Sequence, residues 1–314
     1  MSSAVITGAT GFIGRWLIAE LLKNKIKVLA LVRNKCNLAT EYLENELFSY
    51  IEIDLLSPIS IEQVLLYVNK EDSKYDFFFH LAWGGVSPNL KNDFIIQSDN
   101  IKLAMNSLLL CKEMHCKRFI ATGTVAEYVF SKGILNVNEK QTPNDLYGAA
   151  KTSAHYFLEV KARQLKQNFI WAVIPSTYGE FRKDNNIITY TIKSLLLKEK
   201  PVYGNLTQMW DFLYVSDVAR ALLLIAEKGK NNYTYGIGSG TFLPLISYIT
   251  KIKDLIDSNL PLGIGEISGY SAQTFSSCVN IVELIRDTGF LPKVSFEEGI
   301  KKTIKYWRKQ LQLK

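Results

Sequence analysis

Ala4-Val5-Ile6-Thr7-Gly8-Ala9-Thr10-Gly11-Phe12-Ile13-Gly14 joins an apolar strand to an apolar helix start through a glycine loop. The three glycines stand three apart. The first can take a tight turn with positive φ, and the second lets backbone N–H groups approach a phosphate. The third lets the helix lie close on its strand. A pyrophosphate would then meet a helix N-terminus, where unpaired N–H groups and the helix dipole favour negative charge. The spacing is G-x-x-G-x-x-G rather than the more common G-x-G-x-x-G. A glycine loop alone is a weak signal, because any tight strand-to-helix turn can use one. Its place after a strand starting at residue 4 makes a bound dinucleotide the preferred reading over a purely structural turn.

Outward from this loop, short β-rich runs alternate with helical patterns. The strands read at Lys27–Val32, Tyr50–Ile53, Asp76–Leu81, Arg118–Thr122 and Phe169–Ile174, and the helices at Ile13–Lys23, Ile59–Val68, Asp99–Met114 and Tyr147–Lys166. This order predicts an α/β fold with a doubly wound parallel sheet. After Pro175 the rhythm changes: a helix over Asn185–Lys198, a strand over Asp211–Val215, a helix over Ser216–Lys228, a glycine-rich turn at Gly236–Gly240, a loop around Pro261–Gly269 and a closing amphipathic helix near Phe296–Gln312. Residues 1–175 read as the dinucleotide-binding domain, with 211–238 returning to it. Residues 176–210 and 239–314 read as a smaller C-terminal α/β substrate-binding cap.

The 314 residues are 47% hydrophobic and 21% charged, ordinary for a globular protein with a large core. The net charge of +7 comes without any run of five like charges. It reads as a solvated basic surface suited to anionic ligands, not as a nucleic-acid site. Cys36, Cys111, Cys116 and Cys278 form no C-x-x-C pair, and His80, His115 and His155 are scattered, so no metal site is expected. With neither a secretory segment nor a membrane-length apolar run, the expectation is a cytoplasmic protein with reduced thiols.

Tyr147 and Lys151 stand four apart on one helix face, behind Pro143 and Asp145, which suit a helix start. An ammonium beside a phenol is expected to lower the phenol pKa and so allow proton transfer near neutrality. Tyr-x-x-x-Lys by itself is common and reads as a surface pair. With the glycine loop, and with Thr124 at the C-terminal end of the Arg118–Thr122 strand, it reads as a catalytic set.

In these motifs the chain resembles the extended short-chain dehydrogenase/reductase family of nucleotide-sugar epimerases, dehydratases and ketoreductases, over essentially its whole length. The resemblance implies a Rossmann sheet and a nicotinamide dinucleotide, NADP or NAD. It places Gly8, Thr10, Gly11, Phe12, Ile13 and Gly14 in the cofactor loop, and Asp54 with Leu55 at the adenine. It places Leu81 and Ala82 of the His80-Leu81-Ala82 stretch, Asn100 and Pro175 beside the cofactor, with Asn106 closing the asparagine motif. It assigns catalysis to Thr124, Tyr147 and Lys151: Tyr147 moves the proton, Lys151 holds the nicotinamide ribose and lowers the Tyr147 pKa, and Thr124 bonds the reacting oxygen. Asn186 is implied at the substrate pyrophosphate and Tyr203 at the nucleotide base. Asp211–Ala219 resembles the family's R-D-F-x-x-V-x-D-V-A block.

Three departures shape the functional expectation. The acid that would bind the ribose 2′-hydroxyl is absent: Val32 stands there and Arg33 follows, which leans towards NADP because a guanidinium binds a 2′-phosphate. A solvated turn is the other reading of Arg33. Val125 and Ala126 replace the Asp-Glu pair of sugar 4,6-dehydratases, and Glu127 stands too far along to replace them. Trp210 and Tyr270 stand where the resemblance implies arginines that grip the substrate pyrophosphate, a role left to Asn186, Arg182 and Lys183. The leading expectation is an NADPH-dependent 4-ketoreductase acting on a nucleotide-linked 4-keto-6-deoxyhexose. The alternative is an NAD-dependent nucleotide-sugar 4-epimerase, and the third is a non-catalytic dinucleotide sensor, which the intact Tyr147/Lys151 pair opposes. The resemblance also implies a homodimer built on Asp99–Met114 and Tyr147–Lys166, with apolar faces from Leu103, Leu108, Leu109, Phe157 and Leu158. The other reading is that these residues bury only against their own sheet.

Overall fold

Strands that are apolar on both faces need helices on both faces, and the chain supplies them in alternation. A computed structural model describes residues 2–57, 59–70, 75–129, 133–267 and 278–313. The first half runs β1 (Ser3–Thr7), α1 (Phe12–Lys23), β2 (Lys27–Val32), α2 (Thr40–Leu43), β3 (Phe48–Glu52), α3 (Ile59–Lys70), β4 (Phe77–His80), α4 (Phe94–Glu113), β5 (Arg118–Thr124), α5 (Leu146–Leu165) and β6 (Asn168–Ile174). The second half runs β7 (Ser176–Tyr178), α6 (Ile187–Leu196), β8 (Val202–Tyr203), β9 (Met209–Trp210), β10 (Phe212–Tyr214), α7 (Val215–Lys228), β11 (Tyr233–Gly236), β12 (Leu243–Pro244), α8 (Leu245–Ile256), β13 (Gly263–Ile264), α9 (Val282–Thr288) and α10 (Phe296–Gln310).

Seven strands form one sheet in the order β3-β2-β1-β4-β5-β6-β11, and every neighbouring pair is parallel. The doubly wound sheet expected from the sequence is therefore the observed fold. The order reverses between β1 and β4, which opens a crevice at their C-terminal ends. Side chains alternate across the sheet. Ala4, Ile6 and Ala30 face a core shared with Leu17, Ile18 and Leu21 of α1 and with Leu222 and Ile225 of α7. Val5, Leu29 and Leu31 face the opposite core, shared with Leu108 and Cys111 of α4 and with Ala154 and Leu158 of α5.

A third core lies outside the sheet. Ile188 and Ile192 of α6, Tyr248 and Ile249 of α8, and Ile300, Ile304 and Trp307 of α10 close around Tyr178, Phe212 and Tyr214 of the β7/β10 pair. Buried carboxylates tie this region back. Asp211 accepts from the Ser239 N–H at 2.9 and 3.1 Å, and Asp217 accepts from the Lys293 and Val294 N–H groups at 2.9 Å each.

Some boundaries differ from the sequence reading. Helix α4 begins at Phe94, not Asp99, because Asp93 caps it through the Ile96 N–H at 3.0 Å. Its first turn is masked in the pattern because Phe94 and Ile95 point outward. Gly236 ends strand β11 instead of opening a turn, and helix α8 was not anticipated. Among the described residues no helix is long and apolar enough to cross a membrane, and no cluster of metal-ligating side chains occurs. Tyr270 lies outside the described residues.

Gly14 lies in the first turn of α1, where an added Cβ would overlap the Gly8 carbonyl oxygen. Gly14→Ala is expected to cost about 1–3 kcal/mol, the usual penalty for overfilling a tight contact. It should appear as a lower denaturant midpoint at unchanged slope; an unaltered midpoint would show that the contact can relax.

Candidate active site

A cleft of about 880 Å³ opens where β1, β4, β5 and β6 end. The glycine loop forms one wall. Gly8 has φ +74°, and a Cβ there would lie 2.6 Å from the Ala82 nitrogen, so only glycine fits. The loop closes with Gly11 N–H donating to the Gly8 carbonyl at 3.0 Å. Gly11 caps α1 with no side chain, and no acidic residue stands in the first turn. The helix N-terminus is therefore left to an outside anion. Arg15, Lys151, Arg182 and Lys183 line the cleft, and the one lining carboxylate, Asp184, is paired to Arg182 at 2.6 and 2.9 Å. A bare helix N-terminus in a glycine cradle with surplus positive charge fits a dinucleotide pyrophosphate.

Strand β4 delivers the opposite wall. His80 is buried, with Nδ1 2.9 Å from Thr7 Oγ1, and it locks the ends of β1 and β4 together. Burial, helped by the Lys151 charge, drops its pKa to about 3, so the imidazole stays neutral. Beyond it, Asn100 grips Gly84 at both backbone atoms, 2.9 Å each. Gln97 accepts from Trp83 Nε1 at 3.1 Å and donates to the Gly85 carbonyl at 2.9 Å. Helix α4 thus fixes Trp83 in the cleft with its ring 3.8 Å from Lys151 Nζ.

Strand β5 and helix α5 bring the chemistry-bearing groups. Asp145 starts α5 by accepting from the Gly148 N–H at 2.8 Å. Tyr147, Lys151 and Thr124 all line the cleft. Thr124 Oγ1 accepts from the Ala126 N–H at 3.3 Å, and its hydroxyl is also within hydrogen-bonding reach of the Tyr147 phenol. Lys151 is buried, and its Nζ donates to the Thr122 carbonyl at 2.7 Å. The Tyr147 phenol departs from expectation. Its pKa is pushed up, to about 12, chiefly by burial, with hydrogen bonding from Thr124 and the charge of Arg182 opposing this and Glu127 and Asp145 reinforcing it. The lysine four residues on does not dominate it, and the phenol here holds its proton.

Of the residues singled out from the sequence, Gly8, Thr10, Gly11, Phe12, Ile13, Gly14, Leu81, Thr124, Tyr147, Lys151 and Pro175 line this cleft together. Others stand outside its lining. Arg33 is exposed at the end of β2, and Asp54 is exposed beyond β3. Leu55 is buried, with its carbonyl accepting from Asn106 Nδ2 at 2.7 Å. The Ala82 N–H points to Thr7 Oγ1 at 3.4 Å. Asn100 acts on the Gly84 backbone, as described. Asn186 spends its side-chain oxygen capping α6, accepting from Ile188 and Thr189 N–H at 3.0 and 3.2 Å. Tyr203 is only 4% exposed, with its hydroxyl 2.6 Å from Thr191 Oγ1, and a ring so enclosed has no open face for a base.

The sequence reading missed Trp83, Arg15, Phe181, Tyr306 and Gln310, all of which line the cleft. Trp83 follows the His80-Leu81-Ala82 stretch directly and was within reach of a motif reading. Tyr306 and Gln310 come from the C-terminal helix and carry no local signal. Arg182 sits 5.3 Å over the Phe12 ring and also bonds the Thr177 carbonyl, so it bridges the glycine loop and the cap.

Comparison with known proteins agrees with this geometry. Residues 4–238 match the model of the NAD dependent epimerase/dehydratase family. A dTDP-glucose 4,6-dehydratase from Escherichia coli is 24% identical over 341 residues, covering 96% of this chain and 92% of that protein. In fold the chain is similar to a UDP-N-acetylglucosamine 4-epimerase from Methanobrevibacter ruminantium M1, solved with UDP-N-acetylmuramic acid (TM-score 0.86, 24% identity, 98% of this chain and 99% of that one). It is also similar to a UDP-glucuronic acid 4-epimerase from Bacillus cereus, solved with UDP-glucuronic acid and NAD (TM-score 0.85, 22% identity, 98% and 99%). With the glycine cradle, the parallel sheet and the Tyr147/Lys151 pair at its switch point, the match over residues 4–238 shows that this chain is an enzyme of the NAD dependent epimerase/dehydratase family.

Proposed function

We propose that the protein is an NADPH-dependent 4-ketoreductase whose substrate is a nucleotide-linked 4-keto-6-deoxyhexose. One observation carries the reading: Thr124, Tyr147 and Lys151 line the same cleft as the glycine loop, while the two positions after Thr124 are Val125 and Ala126. Those two side chains offer no acid or base for eliminating water, which leaves hydride and proton transfer at one carbon. A nucleotide-diphosphate sugar is supported by the relatives, whose names are those of dTDP- and UDP-sugar enzymes, and by the cationic lining.

The glycine loop and the α1 N-terminus would hold the dinucleotide pyrophosphate, and Pro175 would border its nicotinamide. When bound, the reduced nicotinamide supplies the hydride that the protein lacks. The chain's own residues manage the oxygen. Thr124 donates a hydrogen bond to the sugar carbonyl and polarises it. Tyr147, held protonated, donates its proton as negative charge develops there, which is the form a reductase needs of its general acid. Lys151 holds the nicotinamide ribose and stabilises the phenolate left behind. Arg182 and Lys183 face the cleft as the groups for the substrate pyrophosphate in place of the arginines replaced by Trp210 and its counterpart. The same three residues serve a 4-epimerase, in which the hydride returns to the other face of the sugar.

The test is loss of reduced-nicotinamide absorbance with a panel of nucleotide-linked 4-keto-6-deoxyhexoses. Oxidation with one of them is expected, and Tyr147→Phe should slow it by about 10²- to 10⁴-fold without weakening dinucleotide binding. No oxidation, with NAD carried through purification, would reject the reductase and favour the epimerase instead.

NADP preference is supported by Arg33 and by the missing acid at Val32. NADPH should be oxidised faster than NADH, with Arg33→Ala narrowing the difference; faster turnover with NADH would reject the assignment.

A homodimer is supported by the outer face of α5. Leu108 and Leu158 bury against their own sheet, but Tyr156, Phe157 and Val160 stay exposed, Phe157 at 57%. Light scattering should give a dimer mass, and Phe157→Glu should give a monomer; a monomeric native protein would exclude this interface.

A further inference from the structure

Beneath the cleft floor lies a carboxyl group that the mechanism above leaves unused. Glu127 follows Thr124 by three residues and is wholly buried, at 0% exposure. Its Oε1 accepts from the Thr124 N–H at 2.7 Å, and its Oε2 accepts from Gln141 Nε2 at 2.8 Å. Trp171 Nε1 and Glu127 Oε1 crowd the point where Gly123 would carry a Cβ, so a side chain at 123 would displace the carboxyl. Lys151, which holds the same strand two residues before Thr124, is also buried, and its described contacts are neutral: the Thr122 carbonyl and the faces of Trp83 and Trp171. An ammonium taken from water and given only such partners is costly to keep charged. The Trp171 indole borders both groups: its Nε1 meets Glu127 Oε1 beside Gly123, and Lys151 Nζ stands 5.9 Å from its ring, so the buried carboxylate of Glu127 favours the ammonium.

We infer that Glu127 is the positioning residue of this site: one oxygen sets the Thr124 backbone, and its negative charge favours the ammonium form of Lys151 over the neutral amine. The inference rests on reading Thr124, Tyr147 and Lys151 as the catalytic set. The surroundings leave the pair to each other. From β4, His80 is neutral by burial. From α5, His155 stacks on Trp171 at 4.7 Å, reaches Glu127 only through Gln141, and is kept neutral by burial, which lowers its pKa to about 4. Also from α5, Tyr147 keeps its proton, while Tyr128, next in the chain, donates to the Val137 carbonyl. Asp145 and Arg182 act on Tyr147 rather than on Lys151. Burial lowers the Lys151 pKa to about 7 and raises that of Glu127 to about 7, and each group's charge works against the shift of the other. Removing the carboxylate charge should therefore move Lys151 further down.

A purely structural role is separable. Thr124 and Glu127 form a capping box, in which glutamine serves as well as glutamate. Glu127→Gln keeps the acceptor for the Thr124 N–H and removes the charge; its new NH2 group faces Gln141, whose amide turns over to present its oxygen. The measurement is the titration of lysine Cε in ¹³C-labelled whole protein, which needs neither substrate nor dinucleotide. Lys151 is recognised by the signal lost in Lys151→Met. Lys151 is expected to titrate near neutrality in the native protein, and about one pH unit or more lower in Glu127→Gln at unchanged melting temperature. The reciprocal variant holds if that one does not fold: in Lys151→Met the Glu127 carboxyl should titrate higher than in the native protein. An unmoved Lys151 midpoint in Glu127→Gln, or an unmoved Glu127 midpoint in Lys151→Met, would overturn the inference. Failure of every keto-sugar assay would overturn the proposed function and leave these titrations standing.

Discussion

The site depends on one close approach: the start of α1 laid on the ends of β1 and β4 with no side chain between. Gly8 turns the chain in the left-handed region against the Leu81–Ala82 backbone, and Gly14 backs onto the Gly8 carbonyl. A methyl group at either point would lift the helix. The N–H groups of its first turn would then aim elsewhere. The anion cradle follows from this contact, and the aromatic wall over Lys151 from a second one, the grip of Gln97 and Asn100 on Trp83–Gly85.

Polar groups buried around this contact are satisfied in two ways. His80 with Thr7, Asp211 with Ser239, and Asp217 with Lys293 and Val294 each find hydrogen bonds at about 3 Å and serve the frame. Losing one partner would strand the other in a poorly solvated place. Lys151 differs. Its ammonium meets a carbonyl and indole faces, an arrangement that leaves its protonation sensitive to the nearest buried carboxylate. Structural charges want to be fully compensated.

Much of the frame was legible along the chain, because a buried parallel strand is a short unbroken apolar run and a crossover helix shows one apolar face. The first turn of α4 was not, since Phe94 and Ile95 point to solvent and break the pattern. Helix α8 carries its signal in Leu245, Tyr248, Ile249 and Ile252, spaced for one face, but the preceding Gly/Pro-rich stretch obscures where it starts. In the site, Gly8, Gly14, Tyr147 and Lys151 were readable because each is tied to a local turn or a helix repeat. Asn186 and Tyr203 show why a residue type alone is ambiguous, since an asparagine before a helix is also a natural cap and a tyrosine in a small lobe is also core.

The sequence by itself determined the alternation of strand and helix, the glycine turn, the Tyr147/Lys151 face and the absence of an acid-base pair after Thr124. Each of these follows from backbone sterics or from spacing over a few residues. Only the tertiary structure decided that Trp83 would cover Lys151, that Glu127 would lie under Thr124 and that Tyr306 and Gln310 would reach the cleft. Burial, and with it the direction in which Tyr147 and Lys151 are shifted, is a property of what folds over a residue from far along the chain.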